Sequence, residues 1–211
     1  MFEELKRSYL GVFNIFQRYW LAYGGWKAIV FSPYFHGALL LSLALEHTWA
    51  DGDWWNTAIT ILPSVIGFSL GGFAIWLGFG DEKFRQLISH RNDEEPASPY
   101  IELSATFAHF IVIQLIALIA ALIAQGTAFS LPLDHWLIGI FEASAMPADL
   151  IPTYLAPLFH FFGYLLFVYA LMTALAATLA VFRVASWFEK FRNMPESADE
   201  ETSSKETSEK N

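Results

Sequence analysis

Four stretches of this chain, residues 29–48, 57–78, 101–125 and 152–184, run almost free of charge, and little besides a bilayer accommodates that spacing. An apolar helix of about 20 residues, rising 1.5 Å per residue, matches a hydrocarbon core ~30 Å thick. Of the 211 residues, 55% are hydrophobic and only 16% charged, where a soluble domain carries about 25% charged. The mean hydropathy is +0.40. The expected fold is therefore an all-α membrane protein, with four transmembrane helices forming a bundle over residues 29–192.

The basic residues orient it. All twelve Lys and Arg fall into three segments: Lys6, Arg7, Arg18 and Lys27; Lys83, Arg85 and Arg91; and Arg183, Lys190, Arg192, Lys205 and Lys210. The connections 49–56 and 126–151 have none. Basic loops stay on the cytoplasmic side, which predicts both termini inside and an even number of spans. The first long apolar run begins near Ile29 without a small-x-small cleavage site, so it is expected to be a retained span. Small size and the absence of cysteine favour a bacterial inner membrane. The missing cysteines also remove disulfides and thiolate chemistry, and a net charge of −9 disfavours nucleic acid as a partner.

Residues 1–28 read as an amphipathic helix. Phe2, Leu5, Tyr9, Val12, Phe16, Tyr19 and Tyr23 recur at spacings of three and four, while Lys6, Arg7, Asn14 and Arg18 fall largely elsewhere. Such a helix suits the cytoplasmic membrane interface or a groove against the protein's own loop, and should end at Gly24–Gly25. Ser32–Pro33 and Ser98–Pro99 are helix-start signals, with Ser at N-cap and Pro at N1. Cap chemistry also accounts for the Ser-Pro-Tyr repeat at 32–34 and 98–100. The last span, some 50 Å if straight, must tilt, kink at Pro157 or project inward, where Trp187, Phe188 and Phe191 would pack. Between spans 2 and 3, Gly80–Asp81 should cap a short helix through Phe84, Leu87 and Ile88. Residues 126–151, with Trp136 and Phe141, predict a segment lying on the outer surface or re-entering the membrane. Residues 193–211 predict a disordered acidic tail.

Span 2 has the clearest pattern. Ser64, Gly67, Gly71, Ala74 and Gly78 alternate at three and four and share a helical face, with Gly67 and Gly71 forming GxxxG. In lipid, such a face brings backbones together, within the bundle, in a homo-oligomer or against another membrane subunit. The same stretch matches the G-x-S-x-G elbow of hydrolases around Ser69. That chemistry needs a strand–turn–helix, which an apolar helix does not provide. A Ser hydroxyl bonded to its own helix is the expectation there.

Ionisable residues inside spans are costly and mark candidate proton or ion paths. Glu102, Thr106 and His109 share a face of span 3. His36 follows Ser32 by four residues, as Glu102 follows Ser98, which predicts a similar depth for the two. Glu46 and His47 close span 1, and His160 enters span 4 with Tyr164 one turn deeper. Asp51, Asp53, Asp134, Glu142 and Asp149 make the outer connections acidic. His36 and His109 are also the candidate pair for a haem, but no His-x-x-x-His spacing points to zinc. The expected function is that of a non-catalytic helical-bundle subunit associating through span 2. The alternatives are an oligomeric channel or proton/cation carrier built on the His and Glu residues, a haem protein, and an intramembrane hydrolase.

Overall fold

The computed structural model describes residues 2–50, 52–90, 97–127 and 156–193, and among these residues it is helical without strands. The helices are α1 (Phe2–Tyr23), α2 (Gly25–Val30), α3 (Pro33–Ala44), α4 (Glu46–Ala50), α5 (Trp54–Gly78), α6 (Glu82–Ser89), α7 (Pro99–Thr127) and α8 (Ala156–Arg192). The expected outer segment 126–151, beyond Thr127, and the expected tail beyond Asn193 lie outside the described residues, as does the start of span 4 at Pro152.

α5, α7 and α8 are each long and apolar enough to cross a membrane. The stretch 29–48 differs from its expectation, because it is not one helix. α1 stops where Gly24 and Gly25 adopt φ of 99° and 61°, a left-handed backbone that glycine tolerates without steric cost. The chain then breaks at Phe31–Ser32 and again at Leu45. The 12 residues of α3 reach ~18 Å, short of a hydrocarbon core. Ser32 stands at the N-cap with Pro33 behind it, but its hydroxyl makes no capping bond. At the other end, the Trp49 indole N–H donates to the Ser42 carbonyl at 2.9 Å, satisfying a group that the ending helix leaves unpaired.

Contacts at both ends of each pair fix the directions. Trp76 meets Ser104 while Asn56 meets Gln125, so α5 and α7 run antiparallel. Trp54 meets Tyr164 while Phe79 meets Phe188, so α5 and α8 run parallel. Phe35 against Tyr169 and Trp49 against Phe161 set α3 antiparallel to α8. α8 is the most deeply buried of the crossing helices and packs against α3, α5 and α7. Its buried Ala170, Ala176, Ala177 and Ala180 let those neighbours approach closely.

The distribution of polarity differs from that of a soluble protein, because the outer surface is as apolar as the core. Ser42, Ser69, His109, Gln114 and Thr173 are buried, whereas Phe68, Ile75, Ile119, Ile123 and Phe182 face outward. An outer surface this apolar is stable against lipid rather than water.

At the end bearing Lys83 and Arg85, Gly80 turns at φ 83° and the Asp81 carboxylate accepts from the Phe84 N–H at 2.8 Å, capping α6. Phe84 is wholly buried among Phe79, Phe188 and Phe191. The surplus length of α8 is thus spent in packing onto α6, and Pro157 sits in its first turn rather than at a kink.

Candidate functional site

The most elaborated buried polar site surrounds His109. Tyr19 and Tyr23 lie four residues apart and therefore share a face of α1, and that face meets α7 at His109. Tyr169 arrives from α8. The Tyr19 hydroxyl lies 2.8 Å from His109 Nδ1, and the Tyr169 hydroxyl 3.3 Å from Nε2. The Tyr23 ring stacks on the imidazole, centroids 3.7 Å apart and planes 15° from parallel, and its hydroxyl bonds that of Tyr169. His109 has no exposed surface.

A neutral imidazole offers one donor and one acceptor. Both ring nitrogens and the Tyr19 and Tyr169 hydrogens are used if Tyr19 donates to Nδ1, Nε2–H donates to the Tyr169 oxygen, and Tyr169 donates onward to Tyr23. Burial, with the neighbouring Tyr23 adding to it, pushes the Tyr19 phenol up to about 12, so it keeps its proton. Burial pushes Tyr23 upward as well. The result is a neutral chain of hydrogen bonds tying α1 to α7 and α8.

His160 has a separate environment. The Trp54 indole N–H donates to its Nδ1 at 3.3 Å, and Trp55 stacks on it at 5.6 Å. With Trp49, these tryptophans gather at one end of the bundle, as aromatic residues do at membrane interfaces. Trp54 also lies against Gly163, where a Cβ would meet its ring at 2.6 Å.

The remaining predicted residues are not gathered around His109. Glu102 is exposed, and its carbonyl accepts from the Thr106 hydroxyl at 2.9 Å. His36 is exposed on α3, its nearest ring contact being Phe35 at 6.4 Å. The expected common depth of His36 and Glu102 does not hold. Gly37 lies against Met172, whereas Trp76, which bonds Ser104, packs in one cluster with Val184. Those α8 positions are twelve residues, or about 18 Å, apart. Glu46 and His47 lie exposed on α4, and of the acidic outer residues Asp51, Asp134, Glu142 and Asp149 lie outside the described residues. His36 and His109, the pair considered for haem, are not brought together, and both His109 nitrogens already face hydroxyls. Among the described residues, no three His, Asp or Glu gather as metal ligands.

The small residues of span 2 fall on one outward face. Ser64, Gly67, Gly71, Ala74 and Gly78 are all exposed, and a Cβ placed on Gly67, Gly71 or Gly78 meets nothing within 4 Å. Ser69 points the other way, into the bundle, and its hydroxyl lacks the backbone bond expected of it. Gln114 donates to Thr173 at 3.2 Å, and its own carbonyl oxygen has no partner.

Sequence reasoning singled out His109 and missed Tyr169, although the Tyr19–Tyr23 spacing was visible. Helix, length and apolar surface define the class: a chain that is helical among the described residues, three of whose helices there are suited to crossing a membrane. No family model, no curated protein and no solved structure matches it.

Proposed function

We propose that the chain is a multi-pass membrane subunit without catalytic activity, which associates laterally through the small-residue face of α5. In this reading α2 and α3 together make a bent first crossing, giving four in all. Both termini and the α6 connection then lie in the cytoplasm, and the membrane is a bacterial inner membrane. The positive-inside distribution of Lys and Arg supports that orientation. The amphipathic α1, with Lys6, Arg7 and Arg18, is suited to the inner interface.

The observation that carries the association is the open face at Gly67, Gly71 and Gly78, against which no described atom packs. In lipid, helix pairing is driven by close backbone approach and van der Waals contact, and bulk hydrophobicity contributes little. A face of five small residues left outward on the span is where another helix gains most. Chemical cross-linking in native-like lipid tests it. An assembly larger than the monomer is expected, and Gly71→Leu should dissociate it without unfolding the chain. A wild-type chain that stays monomeric overturns the proposal.

A further inference from the structure

α1 is attached in an unusual way. It has no buried residue, and Phe2, Tyr9, Val12 and Ile15 are broadly exposed, yet Tyr19 and Tyr23 at its end close over a fully buried histidine. We propose that His109 is a charge-sensitive latch, whose neutral imidazole holds α1 on the bundle and whose protonation releases it.

The argument rests on donors and acceptors. In the neutral arrangement Tyr19 donates to Nδ1 across 2.8 Å and Nε2–H donates to Tyr169; in either tautomer one ring nitrogen must accept from a tyrosine. A protonated imidazole has two N–H groups and no acceptor. The Tyr19 hydroxyl must then turn its hydrogen away, orphaning a donor inside the site, while a full positive charge stands where no water reaches. Burying an unpaired charge costs far more than burying a bonded dipole.

The surroundings offer no compensation. From α1, the titratable groups facing His109 are Tyr19 and Tyr23, and from α8 Tyr169. α5 carries no titratable residue between Asp53 and Asp81. On α7 the nearest carboxylate is Glu102, seven residues earlier and exposed, and on α3 the ionisable His36 is exposed too. The neighbouring cations Arg18 and Lys27 are exposed and of like sign. Stacking on Tyr23 and two hydroxyl oxygens would stabilise an imidazolium by a cation–π contact and two hydrogen bonds, less than desolvation removes. The charge is relieved by opening the site, and the element with least to lose is α1.

Of the four groups only the imidazole can take up a proton as pH falls, since the Tyr19 phenol, pushed up to about 12, is already protonated at neutral pH. The sign follows: the latch is closed at neutral and alkaline pH and opens as pH falls.

The experiment uses the full chain, which contains no cysteine, so an introduced pair is a unique reporter. Spin labels at Val12→Cys on α1 and Thr178→Cys on α8, both exposed, give a distance in detergent micelles and in liposomes with equal pH on both sides. A single narrow distance is expected at pH 8, with loss of that peak to a broad, longer distribution at pH 3.5. His109→Gln retains one donor and one acceptor but cannot charge, and should keep the narrow peak at both values. His109→Lys should show the broad distribution throughout. Tyr19→Phe, which removes one donor and leaves the histidine, should open at a higher pH than wild type. A wild-type distance that stays narrow from pH 8 to 3.5 overturns the proposal, as does a pH response preserved in His109→Gln. This outcome is independent of whether α5 associates with anything.

Discussion

Along α5, one helix presents two faces made to different rules. Inward stand Trp54, Trp55, Ala58, Leu62, Ser69 and Trp76, all buried and most in contact with α7 or α8. Outward stand Ser64, Gly67, Gly71, Ala74 and Gly78, all exposed. In water the second face would be the ordinary solvated one. Here it is flanked by exposed Phe68, Leu70 and Ile75, so it is a shallow channel in an apolar surface. The contrast shows that size, more than polarity, separates the two sides. Three tryptophan rings fill much of the inner face, while one stripe of the outside, flanked by Phe68, Leu70 and Ile75, is cut back almost to backbone. Glycine occurs in both settings, and only its neighbours tell them apart: Gly163 of α8 lies against the Trp54 ring, and a Cβ on Gly71 meets nothing.

That contrast can be broken from the inside first. Trp54→Ala removes the ring that covers Gly163, meets Tyr164 and bonds His160, and should cost about 3–5 kcal/mol of bundle stability, read by denaturant unfolding in micelles. Gly163→Ala drives a methyl into the same ring and should cost about 1–3 kcal/mol. A neutral result for either would show that the inner face is looser than its distances imply. Trp76→Phe, which gives up the 3.1 Å bond to Ser104 while keeping a ring, should cost roughly 0.6 kcal/mol beyond the lost area, the average for such bonds in lipid. Gly71→Ala should leave monomer stability within about 0.5 kcal/mol, because the added methyl meets no atom of its own chain. A large loss at that last position in dilute monomer would erase the distinction between the faces.

The three long helices and the capped α6 were legible because each is announced locally. Uninterrupted apolar length marks the first, and Gly80–Asp81 ahead of an amphipathic turn marks the second. In the first apolar stretch Ser32–Pro33 announced the start of α3, but the break at Leu45 was not legible. Leu45 is as apolar as its neighbours, and a hydropathy pattern does not register a change of backbone direction. The comparison of His36 with Glu102 failed for a related reason. Counting residues from Ser-Pro assumes that both helices start in one plane, whereas α3 begins well along α8 and α7 begins near its far end. At the candidate site, His109 was conspicuous as an ionisable group in an apolar run. Its partners lie 90, 86 and 60 positions away in the chain, on two other helices, and no short-range pattern joins them. Tyr19 and Tyr23 were read as part of an apolar stripe, which they are. Their hydroxyls acquired a role only once a buried nitrogen stood within reach.

The length of α8 has a mechanical consequence. As 37 unbroken residues it is a strut of about 55 Å, gripped by Trp54 at one end and by Phe79, Phe84 and the neighbouring aromatics at the other. Any roll of such a strut about its own axis would disturb both grips together, Trp54 against Gly163 at one end and Phe84 against Phe188 and Phe191 at the other.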